Sequence, residues 1–405
     1  MSTLKQICGD GFCDDAATLQ SAAVQGVKPS AICAPADETQ AAEVVRHAIA
    51  QKIQLVPYGS GTQQGSSRAP QANFVALSTR RINQLVEHEP GDMVATAQAG
   101  MELGAFQEKL GERGQWLPIS GNPKSTLGGL LATDYSDALA YGYGTLRDQV
   151  LGMRTVNGDG VARKCGGKVV KNVTGFPLEK LYIGSFGTLG LITEVTFKLR
   201  PFPVARDNWS TNIVAASAQN LTAGFALLAK IDALNLPLER LNLVWRGALI
   251  LLADASGTKS ELDRIDRELN ACTEFGRVNK SIEQHNANSA GYPSNATPPA
   301  ATLRFWCLKS QLQKVCEAVI AVGGNNYFSL SPDGGRMELG NLPADTAAKI
   351  GDALTKLGAN FRFENMQGVQ IAEPFGAPRG DWELMKRIRA SLDPHSLFNS
   401  GRFVV

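Results

Sequence analysis

The chain has 405 residues, 43% hydrophobic and 19% charged, a composition typical of soluble globular proteins and a length suited to two or three domains with substantial cores. Its 40 Lys and Arg stand against 38 Asp and Glu, a formal net charge of +2. That balance does not predict the concentrated basic surface of a nucleic-acid binder. No apolar run reaches bilayer-spanning length, and the opening MSTLKQICGDGFCDD has no apolar core of a secretory signal.

The 7 cysteines are scattered, none pair as CxxC, and only 4 histidines (47, 88, 285, 395) are present. An iron–sulfur cluster or structural zinc site within the chain is therefore not expected, and the cysteines read as reduced thiols in a cytoplasmic protein.

Residues 1–30 carry weak patterning, suited to a short helix or an extended arm. From Asp37 the signals sharpen. Asp37-x-x-Gln40 resembles a capping box, and Ala41, Val44, Val45, Ala48 and Ile49 recur on one helical face. A strand at 53–57 runs into Gly59-Ser60-Gly61-Thr62-Gln63, and a second strand follows at 73–77. No helix of useful length lies between them, which excludes a Rossmann site, since that needs a helix directly after its glycines. The loop reads either as a nest of backbone N–H donors for a pyrophosphate or as a solvated turn.

Residues 93–99 alternate as a strand, and Leu103, Phe106 and Leu110 mark a helix face. Pro123-Lys124-Ser125-Thr126-Leu127-Gly128-Gly129 then precedes a helix start, where free amides would favour an anion. Close helix packing is the other reading of Gly128-Gly129. A hairpin is expected to turn at Asn157-Gly158-Asp159-Gly160. Beyond it, Gly184, Gly187 and Gly190 sit between an apolar run and an alternating strand containing Ile192, Val195 and Phe197. Glycines there let backbone approach a ligand closely.

In the second half, 241–245 and 249–252 read as strands. Thr258 and Glu261 cap a helix whose buried face is Leu262, Ile265 and Leu269. The run 281–301, rich in Asn, Ser, Pro and Ala, reads as a long exposed loop. A strand at 302–308 and helices carrying Val315 and Val319, then Ala347, Ile350 and Leu354, follow, so strand–helix units repeat. A last helix, 381–392, is stopped by Asp393-Pro394.

Taken in order, PYGSGTQQG (57–65), PKSTLGGLLA (123–132), YGTLRD (143–148) and GSFGTLGLIT (184–193) resemble the vanillyl-alcohol oxidase type of FAD-binding protein. GGKVVKNVTGFPLEKL (166–181) is similar to the FAD-binding (E) subunits of bacterial glycolate oxidases, and LDPHSLFNSGRF (392–403) to their closing pattern. The resemblance implies an α+β fold: a PCMH-type, two-subdomain FAD-binding region plus a ferredoxin-like cap. The expected divisions are an N-terminal arm (1–30), the FAD-binding domain (31–205), the cap (206–370) and a returning segment (371–405). The resemblance places Pro57, Gly59, Ser60, Gly61, Thr62 and Gln63 along the pyrophosphate, faced by Thr126, Gly128 and Gly129. Arg147 and Asp148 would support that loop, Gly187, Gly190 and Ile192 would present backbone to the nucleotide, and Asn399 would lie near the ring system. Thr62 stands where some relatives place a flavin-linked histidine, so noncovalent FAD is expected.

Oxidising a 2-hydroxy acid needs a base for the hydroxyl proton and a cation for the carboxylate. The cap has only His285, in the Asn-rich loop, and no HxxH or HxH spacing for a metal; His395 reads as a surface residue. Arg304 and Arg336 are candidate carboxylate contacts, although a solvated face is their commoner setting. With those groups missing, the resemblance implies the FAD-binding subunit of a glycolate oxidase-like complex oxidising 2-hydroxy acids to 2-oxo acids, in electron transfer beside a catalytic FAD subunit and an iron–sulfur subunit. Such a chain would be cytoplasmic, or peripheral to the inner membrane through its complex. The alternatives are a self-sufficient FAD-dependent 2-hydroxyacid dehydrogenase and a scaffold subunit with a vestigial flavin site.

Overall fold

A computed structural model describes residues 1–71, 73–169, 175–203, 206–213, 218–245, 249–272, 276–278, 301–323, 327–339, 342–364, 366 and 371–404. The expected loop at 281–300, with His285, lies outside these residues, as does part of the 166–181 motif. The chain divides into two compact units, Met1–Tyr135 with Leu146–Phe202 and Pro378–Val405, and Ser136–Thr145 with Pro203–Ala377. The division after Thr145 cuts the YGTLRD motif, assigning Tyr143 to the second unit and Arg147 to the first.

The first unit begins with a helix, Ser2–Cys8, that buries Leu4 and Cys8. Its first sheet contains β1 (Phe12–Cys13), β2 (Ala31–Cys33), β3 (Gln54–Tyr58) and β4 (Phe74–Ser78), in the order β1-β2-β4-β3. β4 pairs in parallel with β2 and β3, and all five of its residues are buried, as a central parallel strand requires. The helix Glu38–Gln51 crosses between β2 and β3 and buries Ala41, Val44, Val45 and Ala48. Asp37 caps it by accepting from Gln40 N at 2.8 Å, while the Gln40 side chain reaches one residue further back, to Ala36 N.

The second sheet runs β5-β6-β10-β8-β9, antiparallel throughout, from β5 (Leu85–Glu89), β6 (Val94–Gln98), β8 (Val150–Asn157), β9 (Ala162–Gly166) and β10 (Gly190–Lys198). A small ribbon pairs β7 (Gln115–Trp116) with β11 (Arg200–Pro201). The helix Leu103–Gly111 buries Leu103, Phe106 and Leu110, with the Phe106 ring 5.7 Å from that of Phe197 on β10. After the helix Asp381–Leu392, the Asp393 carboxylate accepts from Leu397 N at 3.0 Å and Phe398 N at 2.9 Å. That turn lays 397–399 beside β3: Leu55 N donates to Leu397 O and Asn399 N to Leu55 O, both at 2.9 Å.

The second unit is a sheet in the order β15-β12-β14-β13-β17-β18-β16-β19. Its strands are β12 (Arg206–Ile213), β13 (Arg240–Trp245), β14 (Leu249–Ser256) and β15 (Gly276–Val278), then β16 (Ala301–Trp306), β17 (Phe328–Ser331), β18 (Gly334–Leu339) and β19 (Asn360–Glu364). Each group of four is a βαββαβ unit: the helices Ala218–Asp232 and Lys259–Asn270 serve the first, Leu312–Gly323 and Ala344–Lys356 the second. The expected ferredoxin-like cap is thus two such units, joined where β13 pairs with β17. Alternation along the strands sends Leu241, Leu243, Leu303, Phe305, Met337 and Phe363 into one core with Leu228, Ile265, Val315 and Ile350 from the helices. The opposite face carries Asn242, Arg304, Trp306, Ser329, Arg336, Arg362 and Glu364.

Candidate functional site

β3 ends at Tyr58 and releases the loop Gly59–Gln63 against Thr126. A Cβ on Gly59 would stand 2.2 Å from Thr126 Oγ1, so the contact requires glycine. Gly61 has φ +84°, a left-handed conformation that favours glycine. Among the described residues no protein acceptor meets the backbone N–H groups of Gly59 through Gln63, which leaves consecutive donors for a ligand or water. The Ser60 and Thr62 hydroxyls turn aside: Thr62 Oγ1 lies 2.8 Å from Ser125 Oγ and 3.5 Å from Ser60 Oγ.

Facing the loop, Thr126 caps the short helix Leu127–Ala132, accepting from Gly129 N at 3.3 Å. The amides expected to be free at this helix start are occupied. Leu127 N donates to Met101 O at 3.0 Å and Gly128 N to Ala99 O at 2.8 Å. A Cβ on Gly128 would lie 3.0 Å from the Ala99 Cβ, so close packing, rather than anion contact, explains that glycine. The far wall is 186–192, where Gly187 at φ +66° lies against Pro57 and the Asn399 amide. Asn399 Nδ2 donates to Phe186 O, which ties this wall to the returning segment.

These elements enclose one cavity lined by ten of the residues singled out from sequence: Pro57, Gly59, Gln63, Thr126, Gly128, Gly129, Gly187, Gly190, Ile192 and Asn399. Ser60, Gly61 and Thr62 share the loop but do not line the cavity. Arg147 and Asp148 stand elsewhere, exposed on Leu146–Gln149, where Arg147 Nη1 donates to Lys180 O at 2.9 Å. Sequence reasoning missed Tyr58, Gln64, Ser67, Thr79 and Arg402 in the lining. Tyr58, Gln64 and Arg402 lie inside the quoted motifs, beside the residues that the resemblance singles out. Among the lining residues there is one cationic side chain, Arg402, and no carboxylate. Burial pulls the Arg402 pKa down to about 9, leaving it charged at neutral pH. Amide donors, hydroxyls and a buried cation make a donor set that fits a diphosphate-bearing cofactor.

The second unit has a cavity of about 330 Å³ on the polar face of its sheet, lined among others by Tyr141, Asn242, Arg304, Trp306, Lys309 and Arg336. Arg304 pairs in register with Arg336 on β18 and Arg362 on β19, which sets three guanidinium groups in a row. Glu364 lies 2.6 Å from both Arg336 and Arg362 and 3.8 Å from Arg304. Burial pushes the Glu364 carboxyl up, but Arg362, Arg336 and Arg304 together outweigh it and hold the group well below the usual range. Arg304 is only 6% exposed and its guanidinium stands 4.6 Å from the Trp306 ring centroid, so it does not sit on a solvated face. Tyr141 donates to Asp232, and burial together with that carboxylate pushes the phenol up to about 12. His395 is exposed, and no group of metal-ligating side chains occurs among the described residues.

Residues 29–166 match the family model described as the FAD binding domain. The whole chain shares its fold with 4-ethylphenol oxidase from Gulosibacter chungangensis, at a TM-score of 0.78 and 15% identity over 99% of this chain and 95% of that one. It also aligns with an alkyldihydroxyacetonephosphate synthase, at a TM-score of 0.71 and 16% identity over 97% of this chain and 82% of that one. These likenesses agree with the α+β, vanillyl-alcohol oxidase-like architecture. In sequence the chain is 35% identical over 166 residues to glycolate oxidase subunit GlcE of Escherichia coli (strain K12), covering 40% of this chain and 47% of that protein. It is 27% identical over 228 residues to glycolate oxidase subunit GlcD of Bacillus subtilis (strain 168), covering 56% and 47%. It is 31% identical over 176 residues to mitochondrial D-lactate dehydrogenase [cytochrome] of Arabidopsis thaliana, covering 43% and 31%. The matched stretches therefore span less than half the length of these curated relatives.

Proposed function

We propose that the chain is the FAD-binding subunit of a glycolate oxidase-like complex that oxidises small 2-hydroxy acids to 2-oxo acids. Its partners in this reading are a catalytic FAD subunit and an iron–sulfur subunit. The observation that supports it most is the carboxylate-free cavity of the first unit, with its run of unengaged loop amides inside the matched FAD-binding domain. The similarity to two glycolate oxidase subunits supports the choice of substrate class and partners.

In this reading bound FAD would supply an electron-holding centre beside the catalytic FAD subunit, where the substrate is oxidised. The chain's own residues bind and orient. Gly59–Gln63 would offer N–H groups to the diphosphate, Thr126 and Gly128 fix that loop's backing, and Gly187 to Ile192 would form a wall for the nucleotide. No described helix is long and apolar enough to cross a membrane, which is compatible with a protein in the cytoplasm or held at the inner membrane by its partners.

A second reading, a self-sufficient 2-hydroxyacid dehydrogenase, is favoured by the arginine row of the second unit, where guanidinium groups line a cavity large enough for a small carboxylate. Stopped-flow mixing of the FAD-loaded chain with glycolate or D-lactate separates the two. If the accessory reading holds, the isolated chain bleaches roughly 10²–10⁴-fold more slowly than the complex reconstituted with its co-encoded subunits. Fast bleaching without partners overturns it and establishes the second reading.

A further inference from the structure

Arg402 is among the largest fully buried side chains of the molecule, at 2% exposure. Four of its five side-chain N–H groups donate to neutral acceptors. Nε donates to Arg68 O at 2.8 Å, Nη1 to Gln64 Oε1 at 2.8 Å and Asn399 Oδ1 at 3.2 Å, and Nη2 to Gln64 O at 2.9 Å. Hydrogen bonds to carbonyls orient a guanidinium but do not cancel its charge. A buried cation is tolerated when an anion pairs with it, because desolvation otherwise costs several kcal/mol. Burial alone accounts for its lowered pKa, with no neighbouring charge contributing. No ion pair to Arg402 occurs among the described residues, although Arg389, also buried on the returning segment, has Asp393 at 3.9 Å.

The acceptors show how the charge is aimed. Gln64 and Arg68 follow the loop whose amides are unengaged, and Asn399 is itself fixed to Phe186 on the opposite wall. Both Gln64 and Asn399 line the same cavity as Arg402. The guanidinium is therefore braced from both sides of the cavity before any ligand arrives.

We infer that Arg402 is the counter-cation of the cofactor's diphosphate, a charge which the fold buries without a protein anion and which the ligand completes. This rests on the FAD-binding reading of the cavity. It adds that the last turn of the returning segment, not only the glycine loop, selects an anionic cofactor. Arg402 is accordingly a specificity residue, and its contribution is electrostatic rather than a tie between segments.

The test uses the full chain stripped of flavin, with Arg402→Lys and Arg402→Gln as variants. FAD affinity is measured by quenching of flavin fluorescence, and melting temperature is measured for each apoprotein. Lys keeps the charge and loses the fork; Gln loses the charge and keeps a donor. The expected result is an FAD Kd weakened roughly 10- to 100-fold in Arg402→Gln and largely rescued in Arg402→Lys. Raising salt should weaken FAD binding to the wild type more than to Arg402→Gln. A measurement without variants accompanies these. Inorganic pyrophosphate and ADP should raise the melting temperature of the wild-type apoprotein, and adenosine or chloride at equal ionic strength should not. If Lys is no better than Gln, or if affinity merely tracks apoprotein melting, Arg402 is a structural tie and the inference fails. A pyrophosphate response no larger than that to chloride also overturns it. Wild-type chain that takes up no FAD at all is a different outcome, since it removes the cofactor reading on which the inference stands.

Discussion

Gly59→Ala is the sharpest probe of how the loop rests on its backing. The added Cβ would lie 2.2 Å from Thr126 Oγ1, 3.0 Å from Thr126 Cγ2 and 3.1 Å from Thr126 Cβ. The first contact is impossible, so either the loop lifts or the threonine rotates away. Rotation would break the cap bond to Gly129 N, a loss of about 1 kcal/mol. Lifting the loop carries an overpacking cost of about 1–3 kcal/mol. Gly59→Ala should therefore destabilise the first unit by about 1–3 kcal/mol, and the displaced amides should weaken FAD binding about tenfold or more. Thr126→Ala removes Oγ1 and Cγ2, the two nearest of these three atoms, and should by itself cost about the cap alone. The double variant should then be no worse than Thr126→Ala plus a few tenths of a kcal/mol, a strongly non-additive result. Urea unfolding and FAD titration of the four proteins close the cycle. Additive effects in both assays would refute the reasoning, because they would show that the alanine methyl and Thr126 do not compete for one space.

FAD should be held noncovalently, since Thr62 occupies the loop position and its hydroxyl is turned to Ser125; acid precipitation should release all yellow colour, and a yellow pellet would contradict this. Glu364→Gln should destabilise the second unit at pH 7 by about 3–5 kcal/mol, leaving three guanidinium groups without their carboxylate. Because the folded carboxyl is held below its ordinary 4.5, its contribution is complete above that pH and is lost on acidification towards the folded value. The gap between wild type and Glu364→Gln should accordingly narrow as pH falls below about 4.5, and a gap constant from pH 7 to 3 would show that the arginines do not hold the carboxyl down. Thr258→Ala removes a capping box in which Thr258 N donates to Glu261 Oε2 at 2.7 Å, and should cost about 1 kcal/mol in urea unfolding, with Thr258→Ser nearly silent.

Helices and buried strands were legible because their patterns match their burial. Leu262, Ile265 and Leu269 are the buried residues of the helix that Thr258 caps, and Leu103, Phe106 and Leu110 those of Leu103–Gly111. β5 was missed because Leu-Val-Glu-His-Glu is an edge strand with no fully buried residue, so neither alternation nor hydrophobicity marks it. The doubling of the cap was half visible: repeated strand–helix units could be read locally, whereas pairing of β13 with β17 joins segments 87 residues apart, as in Asn242 to Ser329. The site divided along similar lines. Gly59 and Gly187 were readable because close approach at the first and positive φ at the second demand glycine. The occupied amides of Leu127 and Gly128 were not, since their acceptors, Met101 and Ala99, are set by tertiary packing. The motif around Arg402 was recognised, but an arginine declares itself buried only when its surroundings are seen.

The placement of 397–399 beside β3 also fixes an order of events during synthesis. Gln54 Nε2 reaches Ser396 O across 342 positions, and Leu55 makes its two backbone bonds to the same stretch. Until the ribosome has delivered those residues, β3 has an open edge and the cavity lacks Asn399 and Arg402. The whole second unit, with its own core, emerges in the interval. The nascent first unit is thus a half-closed sheet that must avoid other strands while its neighbour folds. A nonsense codon between the second unit and Leu397 would leave that edge exposed permanently. The product would carry every glycine of the cofactor loop and still present an unpaired strand edge to any chaperone or protease that tests it.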